Sequence, residues 1–184
     1  MNRIACSTHA GVGLIELLVG LAVATIALAI AVPAYSELLL DHRLTAASNG
    51  FLNTLHFARS EAIKRNGRVV VCKSSGEGCT DDGGWEQGWL VFHDRNNNAQ
   101  LDADDTLLRL AAAMSPTLVM SGNSKVDAYV SYTPLGLTKK VSGAFQAGTF
   151  TLCAQSETGG SARQIVIGIT GRPRVQKAPP SVCS

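Results

Sequence analysis

Six cations in the last third of the chain, Lys139, Lys140, Arg163, Arg172, Arg174 and Lys177, have the type and spacing that most suggest chemistry. In Gly171-Arg172-Pro173-Arg174-Val175-Gln176-Lys177, an extended backbone turns Arg172 and Arg174 to one face, and Pro173 keeps that backbone extended. Arg163, Lys139 and Lys140 join them if their strands are neighbours. Fixed cations on one face suit a phosphate backbone. Aromatic residues make up only 5% of the chain, which argues against a base-stacking platform. Nucleic-acid binding here would be backbone-directed, independent of sequence and steeply weakened by salt. The plain alternative is two arginines solvated on an exposed sheet face.

A second constellation runs from Asp94 to Asp105 and places Asp94, Asn96, Asn98, Asp102 and Asp105 at positions 1, 3, 5, 9 and 12 of an EF-hand template. Position 6 is Ala99 where the template needs Gly, and position 12 lacks the bidentate Glu. No flanking helices are expected. A polar strand connection, rich in Asn and Asp because they favour turns, is the preferred reading, and no metal or cofactor is assigned. Enzyme motifs are absent: HExxH, GxSxG, GxxxxGK[ST] and CxxC do not occur. His42 and His56 fall on an expected helix and His93 at a strand end, so no nucleophile, base and orienting group can be assembled. A non-enzyme is expected.

The elements that hold these residues follow from the patterning. The chain has 184 residues, 46% hydrophobic and 16% charged, with a net charge of +2, so it is neither disordered by composition nor a strongly basic protein. Residues 17 to 34 contain fifteen Ala, Val, Ile or Leu, which marks a membrane segment. From residue 42 onward 143 residues remain, enough for a sizeable core, with 15 basic and 11 acidic side chains. Charge is uneven: residues 74 to 110 carry eight acids and two bases, residues 121 to 184 seven bases and two acids. Leu40, Leu44, Ala47, Phe51, Leu55, Ala58 and Ala62 step by fours and threes along one helical stripe, which stops near Asn66-Gly67 after Lys64 and Arg65. Strands are expected at Val69–Cys72, Trp85–Phe92, Thr106–Leu110, Thr117–Met120, Tyr129–Tyr132, Thr149–Cys153, Gln164–Thr170 and Arg172–Gln176. The fold class is α+β, one long helix against antiparallel β-structure.

Glu16 is the anomaly, because a carboxylate at the head of a membrane helix implies a partner. Gly11-Val12-Gly13-Leu14-Ile15-Glu16 resembles the class III prepilin signal of type IV pilins and type II secretion pseudopilins, with Val12 and Gly13 in place of the usual Phe and Thr. The resemblance implies cleavage by a prepilin peptidase between Gly11 and Val12, methylation of the new amine, and a Glu16 carboxylate that meets the N-terminal amine of a neighbouring subunit. Ala58-Arg59-Ser60-Glu61-Ala62, Trp85 through Gly88-Trp89 to Phe92 and Asp94, Gln164-Ile165-Val166-Ile167 and Gly171-Arg172 resemble the GspH/FimT branch of minor pilins and pseudopilins. Gly171, Arg172 and Arg174 also resemble the Gly-Arg-x-Arg motif of minor pilins that bind DNA in natural transformation.

These readings divide the chain into a leader over residues 1–11, a membrane and filament-core helix over 12–35, which Pro33 should kink, and a periplasmic pilin domain over 36–184. Arg3 and the free amine precede the apolar run, so the N-terminus stays cytoplasmic and the domain is exported from the inner membrane. Loss of Cys6 with the leader leaves four cysteines in an oxidising compartment. Of three pairings, Cys72 with Cys79 and Cys153 with Cys183 is preferred; zinc is disfavoured by the spacing. Partners would be the peptidase, the inner membrane, other minor and major pilins or pseudopilins and, in the DNA-uptake reading, duplex DNA. The competing reading is a purely structural initiating or tip subunit.

Overall fold

The computed structural model describes residues 13–76, 78–154 and 161–183, with backbone alone at 33 and 34. Helix α1 spans Leu14–Arg65 and supplies residues to two compact units, Met1–Leu39 and Leu40–Ser184. In the first unit Leu14, Leu17, Leu21, Ile26 and Ile30 are all more than half exposed. A helix apolar on every side has no preferred face to bury in a soluble core and is long enough to cross a bilayer. The helix continues through Pro33, whose missing N–H removes one backbone hydrogen bond.

In the second unit the apolar stripe does what its period demands. Leu44, Phe51, Leu55, Ala58 and Ala62 are fully buried, while Leu40 and Ala47 are partly buried at its margin. The helix closes with Asn66 in the left-handed region (φ 49°), where Asn66 N–H donates to Ile63 O and Gly67 N–H to Ala62 O, both at 3.2 Å. Gly67 then lets the His93 ring lie where a Cβ would stand.

Eight strands follow: β1 (Arg68–Lys73), β2 (Trp89–Asp94), β3 (Thr106–Ala111), β4 (Leu118–Gly122), β5 (Tyr129–Tyr132), β6 (Gly148–Ala154), β7 (Ala162–Ile167) and β8 (Pro173–Ala178). They form two four-stranded antiparallel sheets, ordered β3-β2-β1-β5 and β4-β6-β7-β8, where the sequence suggested one β-domain without dividing it. Phe150 and Leu152 of β6, Ile165 and Ile167 of β7, and Val69 and Val71 of β1 join the helix in the main core. Val70, Cys72, Leu90 and Phe92 point the other way into a smaller core with Ala99, so β1 and β2 are buried on both faces.

At the centre of the main core, Phe51, Trp85, Trp89 and Phe150 meet edge to face with centroids 4.8 to 5.4 Å apart. Each indole keeps a hydrogen bond, Trp85 Nε1 to Val126 O at 3.1 Å and Trp89 Nε1 to Thr54 Oγ1 at 3.3 Å. The expected strand from Trp85 to Phe92 is interrupted: Trp85–Gln87 is a 3-10 turn, and β2 begins after Gly88. Gly88 has φ 120°, and a Cβ there would crowd Ala111 O. The expected strand at Gln164–Thr170 instead starts at Ala162 and stops at Ile167, because a turn over Gly168–Gly171 reverses the chain. Disulfides join Cys72 to Cys79 and Cys153 to Cys183, with Cα atoms 5.5 and 5.8 Å apart.

Candidate filament and nucleic-acid surfaces

Glu16 lies in the first turn of α1, where a carboxylate favours the helix N-terminus, and its side chain is exposed. Among the described residues it forms no ion pair. Gly11 and Val12 lie outside the described residues.

The C-terminal cations are not assembled as one strip. Arg172 and Arg174 are exposed on either side of Pro173, which is buried, and β8 is an edge strand. Among the described residues neither is paired with a carboxylate. Arg163, expected among the exposed cations, shares its strand parity with Ile165 and Ile167 and so turns toward α1. Its Nη2 meets Asp41 Oδ1 and Thr45 Oγ1, both at 3.1 Å, and the residue is 8% exposed. Lys177 sits directly opposite Arg163 in the ladder and therefore on that face, opposite to Arg174. Lys139 lies over the Phe145 ring, 5.3 Å from its centroid, and Lys140 lines a cavity that also holds Asp81 and Asp127. The two Lys residues belong to the segment after β5, beside the other sheet.

Two turns hold the base of the arginine pair. Gly136 and Gly171 both have φ 71°, and a Cβ on Gly171 would overlap Gly136 O. Arg59 Nε donates to Gly136 O at 2.9 Å, and Thr138 Oγ1 to Gly168 O at 3.3 Å. Arg59 therefore fastens the end of α1 to the Thr133–Gly136 turn, against which the Gly168–Gly171 turn before Arg172 packs, a role the sequence did not reveal. Tyr132 packs beside this junction, fully buried, with a hydroxyl that finds no partner among the described residues; burial pushes its phenol well above the usual range. Lys73 is another residue that pattern reading passed over. It is 1% exposed, and its Nζ donates to Asp81 O at 2.8 Å and Gly83 O at 2.9 Å, with Asp127 Oδ1 at 3.8 Å. A buried lysine at the end of β1, after Val69-Val70-Val71-Cys72, is explained only by the loop that folds over it.

In the acidic loop, the carboxylates turn to backbone N–H groups. Asp94 accepts from Asn97 at 2.7 Å and Ala99 at 3.1 Å, and Asp105 accepts from Arg95 at 2.9 Å and Asp102 at 3.0 Å. Asp102 takes the side-chain amides of Asn96 and Asn98, each at 2.7 Å. Asn97 and Ala99 adopt left-handed backbone. Among the described residues no three His, Cys, Asp or Glu side chains converge as a metal site. The oxygens counted toward an EF-hand template instead build a self-bonded turn over the small core.

A long helix with two antiparallel sheets is the pilin-like arrangement. The family model of the type II transport protein GspH matches residues 47–171, about two thirds of the chain, and the chain belongs to that family. The match ends one residue before Arg172. The crystal structure of type IV minor pilin FimU from Pseudomonas aeruginosa strain PAO1 is similar, with a TM-score of 0.54 and 22% identity over 77% of this chain and 92% of that one. Minor pseudopilin EpsH from the type 2 secretion system of Vibrio cholerae aligns with a TM-score of 0.49 and 8% identity, over 75% of this chain and 98% of that one. A search among curated proteins returns no match. The chain is a minor pilin or pseudopilin of the GspH type, a structural subunit and not an enzyme.

Proposed function

We infer that this chain is an inner-membrane subunit cut by a prepilin peptidase between Gly11 and Val12, methylated on the new amine and drawn by its apolar helix into a filament, with Glu16 facing a neighbour's N-terminus. An exposed, uniformly apolar helix headed by one unpaired carboxylate supports this. The exported domain then displays the β7–β8 hairpin, and Arg172 and Arg174 bind the backbone of duplex DNA for uptake. The observation that carries the DNA reading is the pair of exposed guanidinium groups on either side of a buried Pro173 at the start of edge strand β8, neither of them paired with a carboxylate among the described residues. Arg163 and Lys177 contribute nothing to that face.

The test is titration of fluorescent duplex DNA with the full chain in detergent micelles, at several salt concentrations, beside Arg172→Ala plus Arg174→Ala. Two lost phosphate contacts lower the slope of log K against log salt by roughly 1.8, from about 0.9 per contact. Equal slopes and affinities in both proteins would leave a filament subunit without a DNA role.

A further inference from the structure

The two sheets have four edge strands; β5 and β4 are covered, and β8 carries residues that blunt it. The segment after β5 covers it: Gln146 accepts Ser131 N–H at 3.0 Å and donates to Tyr129 O at 2.7 Å, and Lys139 N–H reaches Ser131 O at 3.1 Å. On β4, Met120 N–H is taken by the Glu86 carboxylate at 2.9 Å. β8 opens with Pro173 and bears Arg174 and Lys177, the residue types that blunt an edge.

β3 has none of these protections. Among the described residues no hydrogen bond from any segment except β2 reaches it. Its one cation, Arg109, folds away over the Phe57 ring, 4.4 Å from the centroid. Leu107 is 49% and Leu110 55% exposed. The register shift opposite Val91 and Phe92 leaves Arg109 to Ala111 in regular pairing, and the chain runs on through Ala112 and Ala113. There a groove of about 280 Å³ opens between Leu110, Ala112, Ala113, Ser74, Ser75 and Gln87. At the other end of the strand, Asp102 and Asp104 are exposed.

An unpaired edge supplies main-chain affinity and a neighbouring pocket supplies side-chain choice, the two requirements of strand addition. We propose that β3 is a docking edge on which an extended apolar segment of another filament subunit pairs antiparallel with Leu107–Ala111. That segment seats a bulky apolar side chain beside Ala112 and Ala113 and brings a basic residue against Asp102 and Asp104. In that antiparallel pairing the basic residue stands at the C-terminal end of the incoming strand, beside the start of β3.

The probe is a fluorescent peptide, Phe-Thr-Val-Thr-Val-Thr-Lys-Lys, added to the full chain in detergent micelles. Two further copies are N-methylated, each on one of the two alternating sets of residues, so that one copy loses the bonding donors and the other keeps them. Binding should slow amide exchange across Leu107–Ala111 and fall at least ten-fold for one methylated copy only. Leu107→Lys plus Leu110→Lys changes exposed positions and should cost at least ten-fold, whereas Val119→Lys on the covered β4 edge should cost less than two-fold. Unchanged exchange at β3, equal binding by both methylated copies, or equal loss in Val119→Lys would overturn the proposal. A dimer of the full chain that the peptide dissolves would make the occupant a second copy and overturn the assignment to another subunit.

Discussion

Gly171 is read as part of a basic motif in the sequence, but its structural task is separate: the left-handed backbone and the overlap with Gly136 O leave no place for a Cβ. Gly171→Ala should destabilise the domain by at least about 1–2 kcal/mol from the backbone alone, measured as a lowered Tm. Tyr132→Phe, a few ångströms away, removes a buried hydroxyl that has no partner among the described residues and should leave stability unchanged or raised by up to about 1 kcal/mol in a denaturant titration. Glu61 accepts from Arg65 Nε at 2.7 Å with Lys64 at 3.5 Å, and the Arg65 bond above all holds its carboxyl below the ordinary value. A depressed carboxylate stabilises the fold above its unfolded pKa and loses that contribution as pH falls through the folded value. The Tm gap between the native chain and Glu61→Gln should therefore persist at pH 7, close below about pH 4, and narrow with added salt. Residue by residue the sequence was a partial guide. It marked Arg172 and Arg174 as exposed cations, yet a count of charges could not show that Arg163 turns inward to Asp41, since that depends on which strand parity faces the helix.

At the scale of elements, legibility followed the strength of the period. The helical stripe from Leu44 to Ala62 is a 3.6-residue pattern repeated over five turns, and its stop at Asn66-Gly67 is a chain-termination signal with a stereochemical cause. The β2 and β7 boundaries were less visible because Gly88 and the Gly168–Gly171 turn break runs whose composition still reads as strand. The division into two sheets was not legible, since strand order is a property of pairing between distant segments. The two disulfides act on different lengths of chain. Cys153–Cys183 closes a separation of 30 residues and Cys72–Cys79 one of 7, which corresponds to about 3.6 and about 2.4 kcal/mol of unfolded-state entropy. Cys153→Ser plus Cys183→Ser should accordingly lower the denaturant midpoint more than Cys72→Ser plus Cys79→Ser.

At the scale of the whole molecule, the apolar half of α1 was the most legible part, because a helix apolar all round needs no tertiary context to be recognised. The loop at Asp94–Asp105 was the least, since the same Asp and Asn oxygens serve a cation or their own backbone, and only geometry separates the two. In the proposed function the chain is a processed filament subunit, and Glu16 acts in its assembly and not in its processing. The most direct measurement is intact-mass analysis of the full chain recovered from membranes and from sheared filaments, after co-expression with a prepilin peptidase and its filament system, for the native chain and for Glu16→Ala. The expected product begins at Val12 and carries one methyl group in the membranes for both chains, with the native chain alone present in filaments. A chain that keeps residues 1–11, or a Glu16→Ala chain that enters filaments as well as the native one, would contradict it.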